Sequence, residues 1–229
     1  MKLIHVKQAR SVWVFDLRDL NPKGKDVFGD LIDWIKEAYG FAVAPDPENP
    51  VATAPPNSAS AAPGYVFQRG HFQVREEIFI EITTLTLFND GIVIDTPSST
   101  EEADRFAGDL LQSASQEYAL VFDPTLIRRK MYVSELVVRS DIDLERLNPK
   151  LTGFSARVAE LIPDGPKPQF SAAGLSFWSE PNDSGAHKIF SLERQAGKFF
   201  SEHRYYSQAP LHTSDHLRLL EDLERLVME

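Results

Sequence analysis

Residues 77–95 encode a β-hairpin and constrain the fold more than any other part of the sequence. Apolar and polar side chains alternate along residues 77–88, as they do in a half-buried strand. Asn89-Asp90-Gly91 follows and favours a tight turn, because glycine tolerates a positive φ. Residues 92–95 then return as the partner strand. Strands joined this closely pair antiparallel, so the hairpin predicts an antiparallel sheet.

Strands and helices alternate along the rest of the chain. Apolar residues at helical spacing predict helices over residues 25–39, 99–118, 151–162 and 213–227. Extended segments are predicted over residues 10–17, 65–74, 131–139, 169–179, 187–194 and 205–206. Ser99 or Thr100 is expected to cap the second helix, and Thr213 or Ser214 the last one.

The two halves of the sequence repeat this order. Leu20-Asn21-Pro22-Lys23 precedes the first helix, and Leu147-Asn148-Pro149-Lys150 precedes the third. Pro97-Ser98-Ser99-Thr100 and Pro210-Leu211-His212-Thr213 lead into the other two helices. We therefore predict an internally duplicated α+β protein of β-α-β-β-(β)-α units, with mostly antiparallel sheet and helices on one face. The alternative is two unrelated α+β halves that share common capping residues.

The expected units are residues 1–125 and 126–229. The first contains a segment rich in proline, alanine and serine at residues 42–64, which holds six of the 15 prolines of the chain. This segment has no apolar period and is longer than an ordinary connection. It is expected to be a loop or flexible insertion with polyproline II character.

Composition narrows the class of protein. The 229 residues include no cysteine, which excludes a disulfide framework, a cysteine nucleophile and a thiolate metal site. No apolar run approaches the roughly 18 residues of a membrane span, and residues 1–8 lack the apolar core of a signal peptide. We expect a cytoplasmic protein that does not enter membranes.

The acidity of the chain also limits its partners. The formal net charge is −10, of which residues 1–125 contribute −9 and residues 126–229 contribute −1. Such a charge repels duplex DNA, so direct DNA binding is not expected. The acidity is typical of a soluble protein, and a weaker hypothesis is that it mimics nucleic acid.

Three aspartates are candidate catalytic residues because each follows an apolar strand. Asp16 and Asp19 lie in Val-Trp-Val-Phe-Asp-Leu-Arg-Asp, and Asp95 lies in Gly-Ile-Val-Ile-Asp-Thr-Pro. Carboxylates at strand ends often bind Mg²⁺ in phosphate chemistry. The alternative is that they serve as turn or capping residues. Phosphate-binding loops, nucleophile elbows and dinucleotide-binding glycine motifs do not occur, so no cofactor or bound metal is predicted.

A second group of residues is suited to binding a protein. The stretch from residue 191 to 206 is dense in arginine, tyrosine and phenylalanine, which favour interface hot spots. The candidate interaction residues are Arg194, Phe199, Phe200, Arg204, Tyr205 and Tyr206. The alternative is that these side chains lie on an edge strand without a binding role or fill the core.

These observations favour a protein that binds another protein chain or a second copy of itself. We expect a non-enzymatic subunit or adaptor of a larger assembly of bacterial origin. The alternative is a small-molecule-binding protein or a metal-dependent enzyme that uses Asp16, Asp19 and Asp95. No motif in the sequence is specific enough to identify a reaction.

Overall fold

The computed structural model describes residues 1–48, 51–53, 62–142, 144–147, 150–163, 168, 170–181 and 188–228, and its fold is α+β, with antiparallel strand pairing. The strands are β1 (Lys2–Val14), β2 (Val51–Thr53), β3 (Ala62–Arg75), β4 (Ile78–Phe88), β5 (Gly91–Thr96), β6 (Arg129–Arg139), β7 (Gly174–Trp178), β8 (Ile189–Arg194) and β9 (Arg204–Ala209). The helices are α1 (Leu17–Leu20), α2 (Phe28–Ala38), α3 (Thr100–Tyr118), α4 (Lys150–Leu161) and α5 (Thr213–Met228).

The chain divides into two compact units. The N-terminal unit consists of Val6–Ser134 and Pro210–Thr213. The C-terminal unit consists of Met1–His5, Glu135–Ala209 and Ser214–Glu229. Strands β1 and β6 therefore each contribute residues to both units. The division into 1–125 and 126–229 stays a prediction.

The strands of the N-terminal unit lie in the order β2-β3-β4-β5-β1-β6. The predicted hairpin is confirmed: Leu87 pairs with Ile92, and Phe88 pairs with Gly91. Gly91 has a φ of 152°, and a Cβ atom on it would lie 2.1 Å from the carbonyl oxygen of Trp13 in β1. Only glycine fits where the turn passes this close to the neighbouring strand.

One hydrophobic core stabilises the N-terminal unit. Helix α2 buries Ile32 and Ile35, and α3 buries Phe106, Ala107 and Leu110, at the spacing that places them on one helical face. These side chains pack with strand residues that include Trp13, Phe67, Ile82, Leu85, Ile92 and Ile94. Both helices thus pack into the same core with the sheet.

The strands of the C-terminal unit lie in the order β6-β9-β8-β7. Leu192 of β8, Tyr205 of β9 and Leu220 of α5 are fully buried. His216 of α5 is buried as well, with Nε2 2.8 Å from Oγ of Ser207. The hydroxyl of Ser207 donates its only proton to the carbonyl of Ser191, so Nε2 of His216 is the donor to Ser207.

Several predicted boundaries are corrected by the structure. The first strand begins at Lys2 rather than at residue 10, and the first long helix begins at Phe28 rather than at residue 25. By contrast, Ser99, one of the two predicted caps, is confirmed as the cap of α3, because its Oγ accepts a hydrogen bond from the amide of Glu102. Thr213 is the first residue of α5, so the helix begins there rather than after a cap at Thr213 or Ser214.

The proline-rich insertion contains a strand that the sequence does not indicate. Val51–Thr53 forms β2 and pairs antiparallel with Ala62–Gly64 at the beginning of β3. Val43 also bridges to Gln68. Residues 49–50 and 54–61 lie outside the described part of the chain. The described part of the insertion is therefore partly β-structure rather than loop.

Two threonines in equivalent positions of the repeated tetrapeptides bond to each other. The amide of Thr100 donates to Oγ1 of Thr213 at 3.0 Å, and the amide of Thr213 donates to Oγ1 of Thr100 at 2.8 Å. Each is the first residue of its helix, so each hydroxyl satisfies a free amide of the other helix. The internal duplication stays a prediction, since Asn148 and Pro149 of its other motif lie outside the described residues.

Candidate interaction surface

Large apolar side chains are exposed mainly on the C-terminal unit. Among the described residues, the exposed large apolar side chains of the N-terminal unit are Val43, Ile78, Phe79 and Val121. Those of the C-terminal unit are Ile4, Leu147, Phe154, Leu161, Phe170, Phe177, Trp178, Phe199, Phe200, Leu219, Leu226 and Met228. Single exposed apolar residues are normal on a protein surface, whereas groups of them mark sites of association. The C-terminal unit is therefore where a binding surface is expected.

The most exposed of these side chains belongs to an ordered loop between β8 and β9. We call residues 195–203 the Phe199 loop. Phe199 is 82% exposed and Phe200 is 45% exposed. The amide of Gln195 donates to the carbonyl of Arg204 at 2.9 Å, and the amide of Phe199 donates to the carboxylate of Glu202 at 3.3 Å. These bonds fix the backbone that presents both phenylalanines.

Arg194 stands beside the Phe199 loop. Its guanidinium carbon lies 4.4 Å from the ring centroid of Phe200 and 5.6 Å from that of Tyr205. Its Nε also donates to the carbonyl of Ala172 at 3.3 Å. A cation–π contact of this kind contributes about 0.5–1 kcal/mol at an exposed site. The arginine head is thus held in place before any partner arrives.

The Phe199 loop and its two flanking arginines carry more positive than negative charge, although the chain is acidic. Residues 194–204 contain three basic residues and one acidic residue. That acid, Glu202, lies 3.7 Å from Nζ of Lys198 and 3.6 Å from Nε of Arg204. Beside it, His203 faces the exposed Asp141 at 3.7 Å. Residues 194–204 therefore combine exposed aromatic rings with an excess of positive charge, and the exposed acids Glu193 and Asp141 border them.

The two tyrosines of β9 differ in accessibility. Tyr205 is fully buried and its hydroxyl donates to the carbonyl of Ile142 at 3.1 Å, which corrects the expectation that it contacts a partner. Tyr206 lies on the opposite face of the strand, the face that Arg204 also takes, because side chains alternate, and it is half-buried. Burial and a hydrogen bond to Glu135 raise the pKa of Tyr206, so its hydroxyl stays protonated. The candidates with exposed or half-buried side chains are Arg194, Phe199, Phe200, Arg204 and Tyr206, of which Tyr206 is already hydrogen-bonded to Glu135.

Asp16 and Asp19 are engaged with arginines. The carboxylate of Asp16 caps α1 by accepting from the amide of Arg18, and pairs with its guanidinium at 3.0 Å. Arg128 lies 3.0 Å from Asp19 and 3.9 Å from Asp16. The Arg18 hydrogen bonds hold the pKa of Asp16 below its usual value. Asp16 borders a depression of about 410 Å³ whose lining includes both Arg18 and Arg128.

Asp95 lies elsewhere and has other partners. It faces Arg10 across β1 and β5, and the guanidinium binds both carboxylate oxygens at 2.7 and 2.8 Å. Gln8 and Thr84 each add a hydrogen bond at 2.9 Å. Burial raises the pKa of Asp95, but the hydrogen bonds and charge of Arg10, together with these two donors, outweigh burial and lower it overall.

The three aspartates do not converge. Arg10, the partner of Asp95, lies four residues before the end of β1. Four residues of extended strand span about 13 Å, and Asp16 lies beyond that end. Among the described residues, no three histidine, aspartate or glutamate side chains are grouped so that they could hold a metal ion. The arrangement suits caps and ion pairs.

The Arg10–Asp95 pair makes acid stability testable. We expect Asp95→Asn to lower the free energy of unfolding by about 2 kcal/mol at pH 7, because Arg10 then loses its charged partner. The pKa of Asp95 is lower in the folded than in the unfolded protein. The contribution of the pair is therefore complete above the unfolded value of about 4 and disappears as the pH falls through the folded pKa. Urea unfolding of the wild type and of Asp95→Asn, between neutral and acidic pH, measures the difference in their free energies of unfolding. A difference that does not shrink on acidification contradicts a stabilising Arg10–Asp95 pair.

A polar network around Asp104 of α3 was not foreseen from the sequence. Ser11 and the indole Nε1 of Trp13 donate to Oδ1 of Asp104 at 2.5 and 2.8 Å. Tyr132 donates to Oδ2 at 2.9 Å, and Nζ of Lys130 lies 3.4 Å from the same oxygen. One carboxylate thus binds side chains of both β1 and β6. The sequence holds one signal for this network. Asp104 is a charged residue that follows Thr100 at helical spacing, so it lies on the apolar stripe of α3.

The network continues to His212. The ring centroids of Tyr132 and His212 lie 3.7 Å apart, and Nδ1 of His212 lies 3.3 Å from Oγ1 of Thr100. Burial and the hydrogen bond to Asp104 raise the pKa of Tyr132. Hydrogen bonds and packing hold these groups. The network is a structural element of the N-terminal unit.

Fold and surface define an α+β protein with an aromatic and cationic patch. Comparisons with known protein families, with curated protein sequences and with solved structures find no match for this chain. Over the part of the chain that the structure describes, no helix combines the length and the apolar character needed to cross a membrane. Any assignment of function therefore depends on the geometry of the chain itself.

Proposed function

We propose that this chain is a non-enzymatic subunit or adaptor that binds another protein through Arg194, Phe199, Phe200 and Arg204. The observation that supports the proposal is Phe199, a phenylalanine 82% exposed at the tip of a hydrogen-bonded loop. Water makes this exposure unfavourable, and burying the ring against a partner recovers about 1.5–3 kcal/mol. A loop that is already ordered loses little entropy on binding.

The chemistry of the surface indicates the chemistry of its partner. Aromatic rings and arginine are the residue types that dominate the binding energy of interfaces. The excess positive charge of residues 194–204 favours a partner surface with acidic residues around an apolar pocket. A cytoplasmic location is part of the proposal, because a chain without cysteine needs no oxidising compartment.

The two other hypotheses gain no supporting observation. An enzyme that uses Asp16, Asp19 and Asp95 needs carboxylates that are close together and free to act, whereas each of these is paired with arginine or lies apart from the others. A nucleic-acid mimic needs free acidic groups at phosphate-like spacing. Asp95 and Asp104 instead accept several hydrogen bonds each from their own unit.

We predict that Phe199→Asp strongly weakens partner binding without affecting folding. The tagged full-length chain is purified from its own cells, and every co-purifying protein is quantified. We expect a stoichiometric partner whose recovery falls at least about tenfold with the variant. The purified pair, titrated in a calorimeter, is then expected to bind about 30- to 1,000-fold more weakly, as for a hot-spot residue worth about 2–4 kcal/mol.

The matched control is Phe79→Asp. Phe79 is 60% exposed and belongs to the N-terminal unit, so it tests the same change of side chain at another exposed position. Recovery of the partner should stay within about twofold of the wild type with this variant. If no stoichiometric partner is found, or if both variants behave alike, the proposal is wrong.

A further inference from the structure

Strand β7 is the outermost strand of the sheet in the C-terminal unit. Its inner edge pairs with β8, where Leu175 faces Leu192 and Phe177 faces Phe190. Among the described residues, no strand lies beyond β7 on its outer edge. An edge of this kind presents a row of backbone donors and acceptors to which another strand can add.

The β7 edge lacks the features that normally prevent such pairing. Charged residues and prolines protect most natural edge strands. Residues 169–179 contain neither, although a quarter of the whole chain is charged. Two aromatic side chains, Phe177 and Trp178, are more than half exposed on this strand. The edge is therefore short, uncharged and apolar.

We propose that β7 pairs antiparallel with β7 of a second copy of this chain. A two-fold axis at Ser176 is the register that pairs all five residues of the strand. Ser176 then faces its own copy, Phe177 faces Leu175, and Trp178 faces Gly174. Each large side chain meets a smaller one in both directions, which is the self-complementarity that an isologous dimer requires.

The charges and the neighbouring side chains also fit a second copy. The C-terminal unit carries 15 acidic and 12 basic residues, against 19 and 12 in the N-terminal unit, so self-association through β7 brings the less charged units together. Phe177 and Phe190 already have ring centroids 6.0 Å apart. Pairing places Leu175 of the second copy beside this aromatic pair and covers it.

A single cysteine tests the register directly, because the chain contains none. Ser176 is exposed, and pairing centred on it places the two Cα atoms about 4.5–5.5 Å apart, within the range of a disulfide. We expect Ser176→Cys to form a disulfide-linked dimer in mild oxidant. Ser201→Cys changes an exposed serine in the Phe199 loop; it is the control and should remain largely without a disulfide cross-link.

Light scattering during size-exclusion chromatography measures the same association without a cross-link. We expect the wild type to reach twice 25.8 kDa as its concentration rises to about 100 µM. Ser176→Lys should return it to the monomer mass, because two lysines then face each other on the axis. Phe199→Asp should leave the dimer intact, which separates this inference from the proposed function.

Two outcomes would overturn the inference. The first is a wild type that stays at the monomer mass over the whole concentration range and yields no more cross-linked dimer from Ser176→Cys than from Ser201→Cys. The second is a dimer whose mass Ser176→Lys leaves unchanged. In that case the two copies meet at another surface.

Discussion

Asp104→Ala is expected to lower the free energy of unfolding by about 3–5 kcal/mol. The change leaves the hydroxyl of Ser11 and the indole N–H of Trp13 without their acceptor, and both residues are buried. It also removes the partner of Tyr132 and of Lys130, whose ammonium lies over the Trp13 ring. An unsatisfied donor in the interior costs more than a lost surface contact. Urea unfolding at neutral pH measures the effect.

Two further variants show whether hydrogen bonding is the cause. Asp104→Asn keeps one acceptor oxygen and should lose about half as much stability, because Ser11 and Trp13 can still donate to it. Arg105→Ala changes the next residue of α3, whose exposed side chain pairs only at the surface with Glu102, and should cost less than about 1 kcal/mol. Equal losses from all three variants would contradict the importance of the network.

Gly91→Ala is expected to lower the free energy of unfolding by about 4 kcal/mol. The new Cβ would stand 2.1 Å from the carbonyl oxygen of Trp13 and 3.1 Å from Cα of Val14. Backbone atoms of a central strand cannot move aside as a flexible side chain can. The φ of 152° adds strain for any residue with a side chain. Circular dichroism during urea unfolding checks this value.

Gly40→Ala separates the conformational part of this cost from the steric part. Gly40 also has a positive φ, at 59°, but a Cβ on it meets no atom within 4 Å. We expect a loss of only about 1 kcal/mol, which is the cost of the left-handed backbone alone. If Gly91→Ala loses no more than Gly40→Ala, the contact with β1 has no energetic importance.

The predicted elements depend on local patterns, and most of them are present in the structure. The alternation over β4, the turn at Asn89-Asp90-Gly91 and the stripe of α3 are each encoded within a few residues. Such local patterns do not predict where an element begins or ends, or how a segment of unusual composition folds. Strand β1 begins earlier than predicted, and β2 lies in a proline-rich segment whose pairing with β3 no local pattern reveals.

The candidate sites show the same limit. The residue types of the Phe199 loop predicted a binding surface, but the sequence could not separate buried Tyr205 from exposed Phe199. The sequence also did not distinguish Asp16 from Asp95, because both are carboxylates at the end of a predicted strand. The structure gives each its own arginine: Arg18, two residues along the chain, pairs with Asp16, whereas Arg10 reaches Asp95 through the pairing of β1 with β5.

By itself, the sequence determined the α+β class, the central hairpin, the acidic charge and the absence of cysteine chemistry, since these follow from composition and from periods of a few residues. Only the tertiary structure decided that Asp104 joins β1 and β6, that the aspartates stand apart, and that the apolar surface gathers on the C-terminal unit. These properties depend on contacts between residues roughly 30 to 120 positions apart, and strand register and side-chain packing set such contacts.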